Sequence, residues 1–392
     1  MKQIKNFFRI FLVLLLLPFS QPGNCSSILD DERLDSIEIG LVTCSPHDEI
    51  YSLYGHSAIR FHDLCSGEDI CFNYGVFNYS QSFFVLRFVF GKTDYELGIA
   101  PFRGFCKYYK DWGCEVSELL LDLTNEEKRN IIMALMKNWA PENRVYRYNF
   151  FFDNCATRPR DIVEANISGR VAYEERTNYA PSFREMIHSY TSNHPWAAFG
   201  NDLLLGARAD LVATQRQQHF IPANLSYDFQ RAKVVSSTGV SRPLVAEKRI
   251  IVPASGQSSV DSWIPTPLLC AGCLLFVLVV IAWLEWRRGL TFRWVDATLM
   301  LMTGLSGIVI LVMFFSEHPT TSTNLQILLL NPLPLFFLRK VMKRHPVERY
   351  WKVQCLLIAL FFICNFWQCY AEGMNILALC LLTRILIHLR YD

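Results

Sequence analysis

The chain reads as an α+β globular domain followed by an all-α membrane bundle of four to five helices. Three observations predict this. Apolar residues are unevenly spread: they concentrate in the first twenty positions and again after Ile264, which marks membrane segments rather than one oversized core. Between these regions, short alternating stretches mix with helix-patterned ones without βαβ regularity. Basic residues cluster in two loops of the C-terminal part, as they do at the cytoplasmic face of multi-span proteins.

Residues 1–25 read as a signal segment. Lys2, Lys5 and Arg9 precede the apolar run Ile10–Phe19, and Ser26 and Ser27 suit cleavage nearby. Cys25 raises a lipoprotein alternative, although Asn24 is a poor residue before it. An uncleaved anchor helix is a further alternative.

Residues 35–245 form the expected globular unit. Ser36–Thr43, Ala58–Phe61, Asp69–Gly75 and Cys114–Asp122 read as strands. Thr124-Asn-Glu-Glu127 is a capping box, and Ile131, Ile132, Leu135 and Trp139 follow at helical spacing. Arg160–Ala165 reads as another helix. Residues 246–262 are polar and read as a linker.

The membrane unit, residues 263–392, shows five apolar stretches: 264–284, 295–315, 325–338, 352–370 and 374–389. The third carries Asn331-Pro332-Leu333-Pro334, which suggests a broken or tilted span. Trp286-Arg287-Arg288 with Arg293, and Arg339 through Arg349, mark cytoplasmic loops. The globular domain and the loop Ser316–Asn324 then lie on the far side, in agreement with the signal segment.

Of 13 cysteines, those in the apolar helices behave as small hydrophobes. In an exported domain, Cys65–Cys71 and Cys106–Cys114 are candidate disulfides. A net charge of +2 suggests no polyanion partner, hence no nucleic acid. Zinc spacing, a glycine-rich phosphate loop and a dinucleotide fingerprint are all missing, so no metal or cofactor is expected.

Two polar clusters carry the chemistry: Tyr54-Gly55-His56-Ser57 and Asp153-Asn154-Cys155-Ala156-Thr157. Cys155 follows two good N-cap residues, so its thiol is expected in the first turn of a helix. There the dipole favours thiolate, and free N–H groups could hold an oxyanion. The plain alternative is a structural thiol. His56, at the entry to a strand, suits a general base, against the alternative of a satisfied core or surface histidine. Asn73 on the next strand is the expected orienting group, with His62 and Asp63 as rivals. Arg60, Arg158 and Arg160 suit a phosphate head group, or else salt bridges to Asp153, Asp161 or Glu164. Tyr54 is placed over the site or in packing. His318, in the polar outer loop, is expected to face the globular domain and line substrate entry, or else to be plain interfacial loop.

Several ordered motifs together carry a resemblance: Tyr54–Arg60, Asn73–Phe77, Phe90–Leu97, Phe152–Asp161, Leu204–Asp210, Phe220–Leu225, Glu317-His-Pro and Asn331-Pro-Leu. They resemble the Lnb-type membrane proteins of Bacteroidota, over most of the chain after the signal. Phe72 stands where a tyrosine is more usual. That resemblance implies lipoprotein N-acyl transfer at the inner membrane. It also implies a papain-like domain similar to the NlpC and lecithin:retinol acyltransferase group in permuted order, with His56 ahead of Cys155. The expected donor is a phospholipid, and the expected acceptor is a diacylated lipoprotein. The alternatives are a cysteine hydrolase, acting as a phospholipase or amidase, and a non-catalytic scaffold.

Overall fold

The computed structural model describes residues 31–77, 82–83, 86–87, 90–256 and 264–391. The expected signal segment, the lipidation alternative at Cys25 and the end of the linker lie outside these residues.

Seven antiparallel strands form the main sheet, in the order β10-β5-β1-β2-β3-β4-β6. The strands are β1 (Ile37–Cys44), β2 (His56–Asp63), β3 (Asp69–Val76), β4 (Asp94–Pro101), β5 (Val116–Leu121), β6 (Val145–Arg147) and β10 (Val245–Val252). Three short strands, β7 (Arg170–Ala172), β8 (Lys233–Val235) and β9 (Ser241–Pro243), make a second sheet. Residues 246–252, expected in the linker, are therefore part of an edge strand paired with β5. Glu247, Lys248 and Arg249 give the middle of β10 a charged run because an edge strand meets solvent, and that exposure gives it the composition of a linker.

One face of the sheet buries Ile37, Ile39, Leu41, Ile59, Phe61 and Leu119. Against it pack α2 (Asn125–Trp139), α3 (Thr157–Asn166) and α6 (Pro222–Arg231) through Ile131, Leu135, Val163, Leu225 and Phe229. The capping box opens α2 as expected, and its Glu127 also accepts from the Ser168 N–H. The other face, with Val42, Ala58 and Cys71, is covered by Phe102, Phe105 and Tyr109 of α1 (Phe102–Asp111). Spacing of three and four residues puts these rings on one side of α1. A helical subdomain, with α4 (Phe183–Thr191) and α5 (Pro195–Leu204), has its own core around Phe151, Phe183 and Phe220.

The membrane unit holds α7 (Pro267–Arg288), α8 (Arg293–Met313), α9 (Leu333–Met342), α10 (Glu348–Cys364) and α11 (Met374–Tyr391). Among the described residues, four segments are long and apolar enough to cross a bilayer: 267–288, 293–313, 325–342 and 374–391. Helix α10 is a fifth apolar helix, shorter at 17 residues. The third segment is broken, as expected: a short 3-10 turn at Leu325–Leu328 precedes Asn331-Pro332 and α9. Gly307 of α8 lets that break approach closely, since a Cβ there would lie 2.3 Å from the Asn331 carbonyl carbon. A buried charge cluster ties α7, α8 and α11 together. Arg384 bonds Glu285 and Asp296, and His388 bonds Asp296 at 2.8 Å while stacking on Trp351.

The two units are joined by backbone-directed hydrogen bonds. Asn324, Gln326 and Gln368 donate to the carbonyls of Leu203, Asp202 and Leu205 at 2.8, 2.8 and 3.0 Å. The N–H groups of Gly206 and Ala207 donate to Thr320 and Thr323, and Glu317 donates to the Phe90 carbonyl. The loop Ser316–Asn324 therefore faces the globular domain, as the topology requires. All described cysteines are free, so neither expected disulfide forms. Cys65 is exposed in the turn after β2, whereas Cys71 is buried beneath α1; Cys114 donates to the Pro46 carbonyl instead.

Candidate active site

The site lies where β1 and β3 end and β2 begins. Antiparallel pairing of β2 with β3 sets Ile59 opposite Phe72 and Arg60 opposite Cys71. Continued along the strands, that register puts His56 and Asn73 on one face as diagonal neighbours. His56 Nε2 donates to Asn73 Oδ1 at 2.5 Å. The other ring nitrogen is thereby left for the Cys155 thiol, with which His56 is hydrogen-bonded. Tyr109 of α1 lies parallel to the imidazole, with centroids 6.4 Å apart. Cys155, His56 and Asn73 are thus brought together.

Cys155 reaches the site because its surroundings hold it there. The pairing of β3 with β4 shifts register between Asn73 and Val76. Gly75 sits in that bulge with a φ of +94°, and a Cβ on it would lie 3.5 Å from Cys155 Cβ. On the other side, Asn149 and Asp153 exchange backbone hydrogen bonds and close the loop before the cysteine. Asn154 is 2 % exposed and organises the turn. Its Oδ1 accepts from the N–H groups of Ala156 and Thr157, and its Nδ2 donates to the carbonyls of Phe150 and Phe220.

This corrects one expectation. Cys155 is not in the first turn of α3 but just before the N-cap residue Ala156. The amides of Ala156 and Thr157 are taken by Asn154 and are not free for an oxyanion. The N–H groups that face the sulfur are those of Ser57 and of Cys155 itself.

The electrostatics follow from this arrangement. Burial pushes the Cys155 thiol up, but the adjacent His56 and the two N–H donors outweigh it, so its pKa falls below the ordinary thiol value. Burial pushes His56 down, but the sulfur and Asn73 outweigh it, so its pKa rises. Both shifts favour a thiolate–imidazolium pair. Both side chains remain partly exposed, so a substrate can reach them.

The remaining candidates are engaged elsewhere. Arg60 bonds Asp69 at 2.7 and 2.9 Å and buried Glu118 at 2.9 Å, beneath the Phe102 ring. Arg158 forks onto Asp153 at 2.6 and 2.8 Å and covers Tyr146. Arg160 bonds Asp161 and the Arg216 carbonyl. All three guanidinium groups serve intramolecular pairs rather than an open phosphate site. The Tyr54 hydroxyl accepts from Asn201 at 2.9 Å, its ring packs on Phe150 and Tyr190, and burial lifts its pKa to about 12. His318 lies in the interdomain loop, next to Glu317, which pairs with Arg147. Sequence reasoning missed Tyr109 and Gly75, and it gave Asn154 a capping role without seeing that it takes the Ala156 and Thr157 amides. The stripe Phe102, Phe105, Tyr109 was the available signal for the first.

Two models of known families match the chain. Residues 26–191 match the model of the Lnb N-terminal periplasmic domain, and residues 259–392 match that of the Lnb transmembrane domain. The chain belongs to the Lnb family. It is a multi-pass inner-membrane protein with a periplasmic N-terminal domain. No curated protein and no solved structure matched the chain.

Proposed function

We propose that this Lnb protein is a thiol acyltransferase that moves a fatty acyl chain from a phospholipid to the N-terminal amine of a diacylated lipoprotein. The contact among Cys155, His56 and Asn73 carries this reading. Its order along the chain, histidine first, supports a permuted papain-like domain.

In the first step the Cys155 thiolate attacks an ester carbonyl of the phospholipid. A C–S bond forms, the C–O bond breaks, and the imidazolium gives its proton to the leaving alkoxide. The products are an acyl-thioester and a lysophospholipid. In the second step the lipoprotein α-amine attacks the thioester. A C–N bond forms, the C–S bond breaks, and His56 takes the amine proton, restoring the ion pair. The N–H groups of Ser57 and Cys155 are the donors for the oxyanion of each tetrahedral intermediate. Docking of the periplasmic domain onto the outer loops of the membrane unit supports a lipid donor, because it ties the domain that carries Cys155 to the membrane unit.

Incubating the full-length protein with acyl-labelled phospholipid and a diacylated lipopeptide tests the proposal. Label on the peptide amine is the expected result. Label released only as free fatty acid would instead make the protein a lipase.

A further inference from the structure

Six aromatic residues form a chain of ring contacts that starts at His56, at the open end of the sheet. Tyr109 lies over His56, and Trp112 lies 6.1 Å from Tyr109. Tyr51 lies 6.1 Å from Trp112 and 6.3 Å from Phe77. Phe77 lies 5.2 Å from Tyr95, which stacks on Tyr148 at 4.0 Å. Tyr148 leads into the loop that Asn149 and Asp153 close, which ends at Cys155. The contacts therefore run as a rim from His56 to Tyr148, at the start of the loop that leads to Cys155. They come from five separate places: the loop before β2, the end of β3, the start of β4, the end of β6 and α1.

Most of this rim is not core. Tyr51 is 55 % exposed, and Phe77, Tyr95, Trp112 and Tyr148 are partly exposed. The rings contribute hydroxyls and one indole N–H as polar atoms, and His47 stacks on Trp112 at 4.3 Å. The three arginines that could have held a phosphate are committed elsewhere. Rings grouped beside a nucleophile offer an apolar surface to whatever is bonded to the carbonyl under attack.

We propose that this rim is the acyl subsite, and that it holds the fatty chain attached to the carbonyl carbon during thioester formation. The assignment rests on the acyl-transfer reading, because in a lipid ester the group next to the carbonyl is an alkyl chain. Tyr51 and Phe77 form the outer wall, and Tyr95 and Tyr148 the wall beside the sulfur. Long chains gain more from the outer wall than short ones, because each buried methylene adds favourable transfer free energy.

The test uses full-length protein in vesicles of phosphatidylethanolamine carrying short- and long-chain saturated acyl groups in equal amounts. Intact mass reads the acyl adduct on Cys155, and iodoacetamide alkylation reads the thiol itself. Wild type is expected to form adducts enriched in the long chain. Tyr51→Ala with Phe77→Ala is expected to lose long-chain adduct formation by about tenfold and to lose the chain preference. Its alkylation rate should stay at the wild-type value, which shows that the pair is intact and the protein folded. Tyr51→Phe alone should keep the preference. Equal adduct rates and chain preference in wild type and double variant would overturn the subsite while leaving acyl transfer standing. A wild type that forms no adduct would remove the acyl-transfer reading and the subsite with it.

Discussion

Replacing Asn73 by alanine isolates the orienting hydrogen bond from the ion pair it supports. Asn73 Oδ1 accepts from His56 Nε2 at 2.5 Å in a partly buried setting. Neutral imidazole donates there too, so only the extra strength of a charged donor favours imidazolium. Bonds to charged groups contribute about 1.5–3 kcal/mol and neutral ones about 0.5–1.5, so the difference is about 1–1.5 kcal/mol. That is about one pKa step, or tenfold in the population of the ion pair. The sign follows from the two shifts. Cys155 is depressed, so its thiolate is lost as pH falls through its folded value. Without Asn73 the imidazolium weakens, the thiol moves back towards its ordinary value, and the alkylation profile shifts to higher pH. Iodoacetamide labelling of Cys155 across pH, read on its peptide by mass, measures this. About tenfold slower labelling is expected on the acid side, and the same rate is expected above the ordinary thiol range of about 8.5. An unchanged midpoint in a folded Asn73→Ala protein would refute the role given to this residue.

Other consequences can be checked separately. Burial pushes the Asp63 carboxyl up, but Ser66, Arg33 and the N–H groups of Ser66 and Cys65 outweigh it and hold it at about 2. Asp63→Asn should therefore cost about 2 kcal/mol at neutral pH. In thermal unfolding at decreasing pH, the deficit should shrink between the ordinary carboxylate range and about 2. Arg384→Leu leaves Glu285 and Asp296 buried without their cation, and should cost about 3–5 kcal/mol, seen as a lower melting temperature in detergent. Alkylation of denatured protein without reductant should label Cys65, Cys71, Cys106 and Cys114, and protection of either expected pair would contradict the free thiols.

Local patterns were readable where they repeat. Alternation located β1, β2, β3 and β5, and Thr124-Asn-Glu-Glu127 located the start of α2, because strand pleat and helix capping are short-range effects. His56 and Asn73 could be paired from the sequence, since adjacent antiparallel strands bring such residues side by side. Residues 246–252 were misread, because membership of the sheet depends on β5, more than a hundred positions earlier. The state of the amides near Cys155 was misread for a similar reason. The Asn154 side-chain oxygen is taken by the next turn, and its amide nitrogen reaches Phe220 in the turn before α6. The arginines show the same limit: Arg60 meets Glu118 across the sheet, a partner that no local motif reveals. The Cys65–Cys71 spacing suggested a hairpin bridge, but β3 turns Cys71 inward under α1.

The most direct measurement is the mass of a host lipoprotein's N-terminus in cells whose copy of this protein carries Cys155→Ala. Loss of the N-linked acyl group, with the diacyl form accumulating and the variant still present in the membrane, is the expected result. An N-terminus that stays fully acylated would mean that the sulfur facing His56 does not perform the transfer.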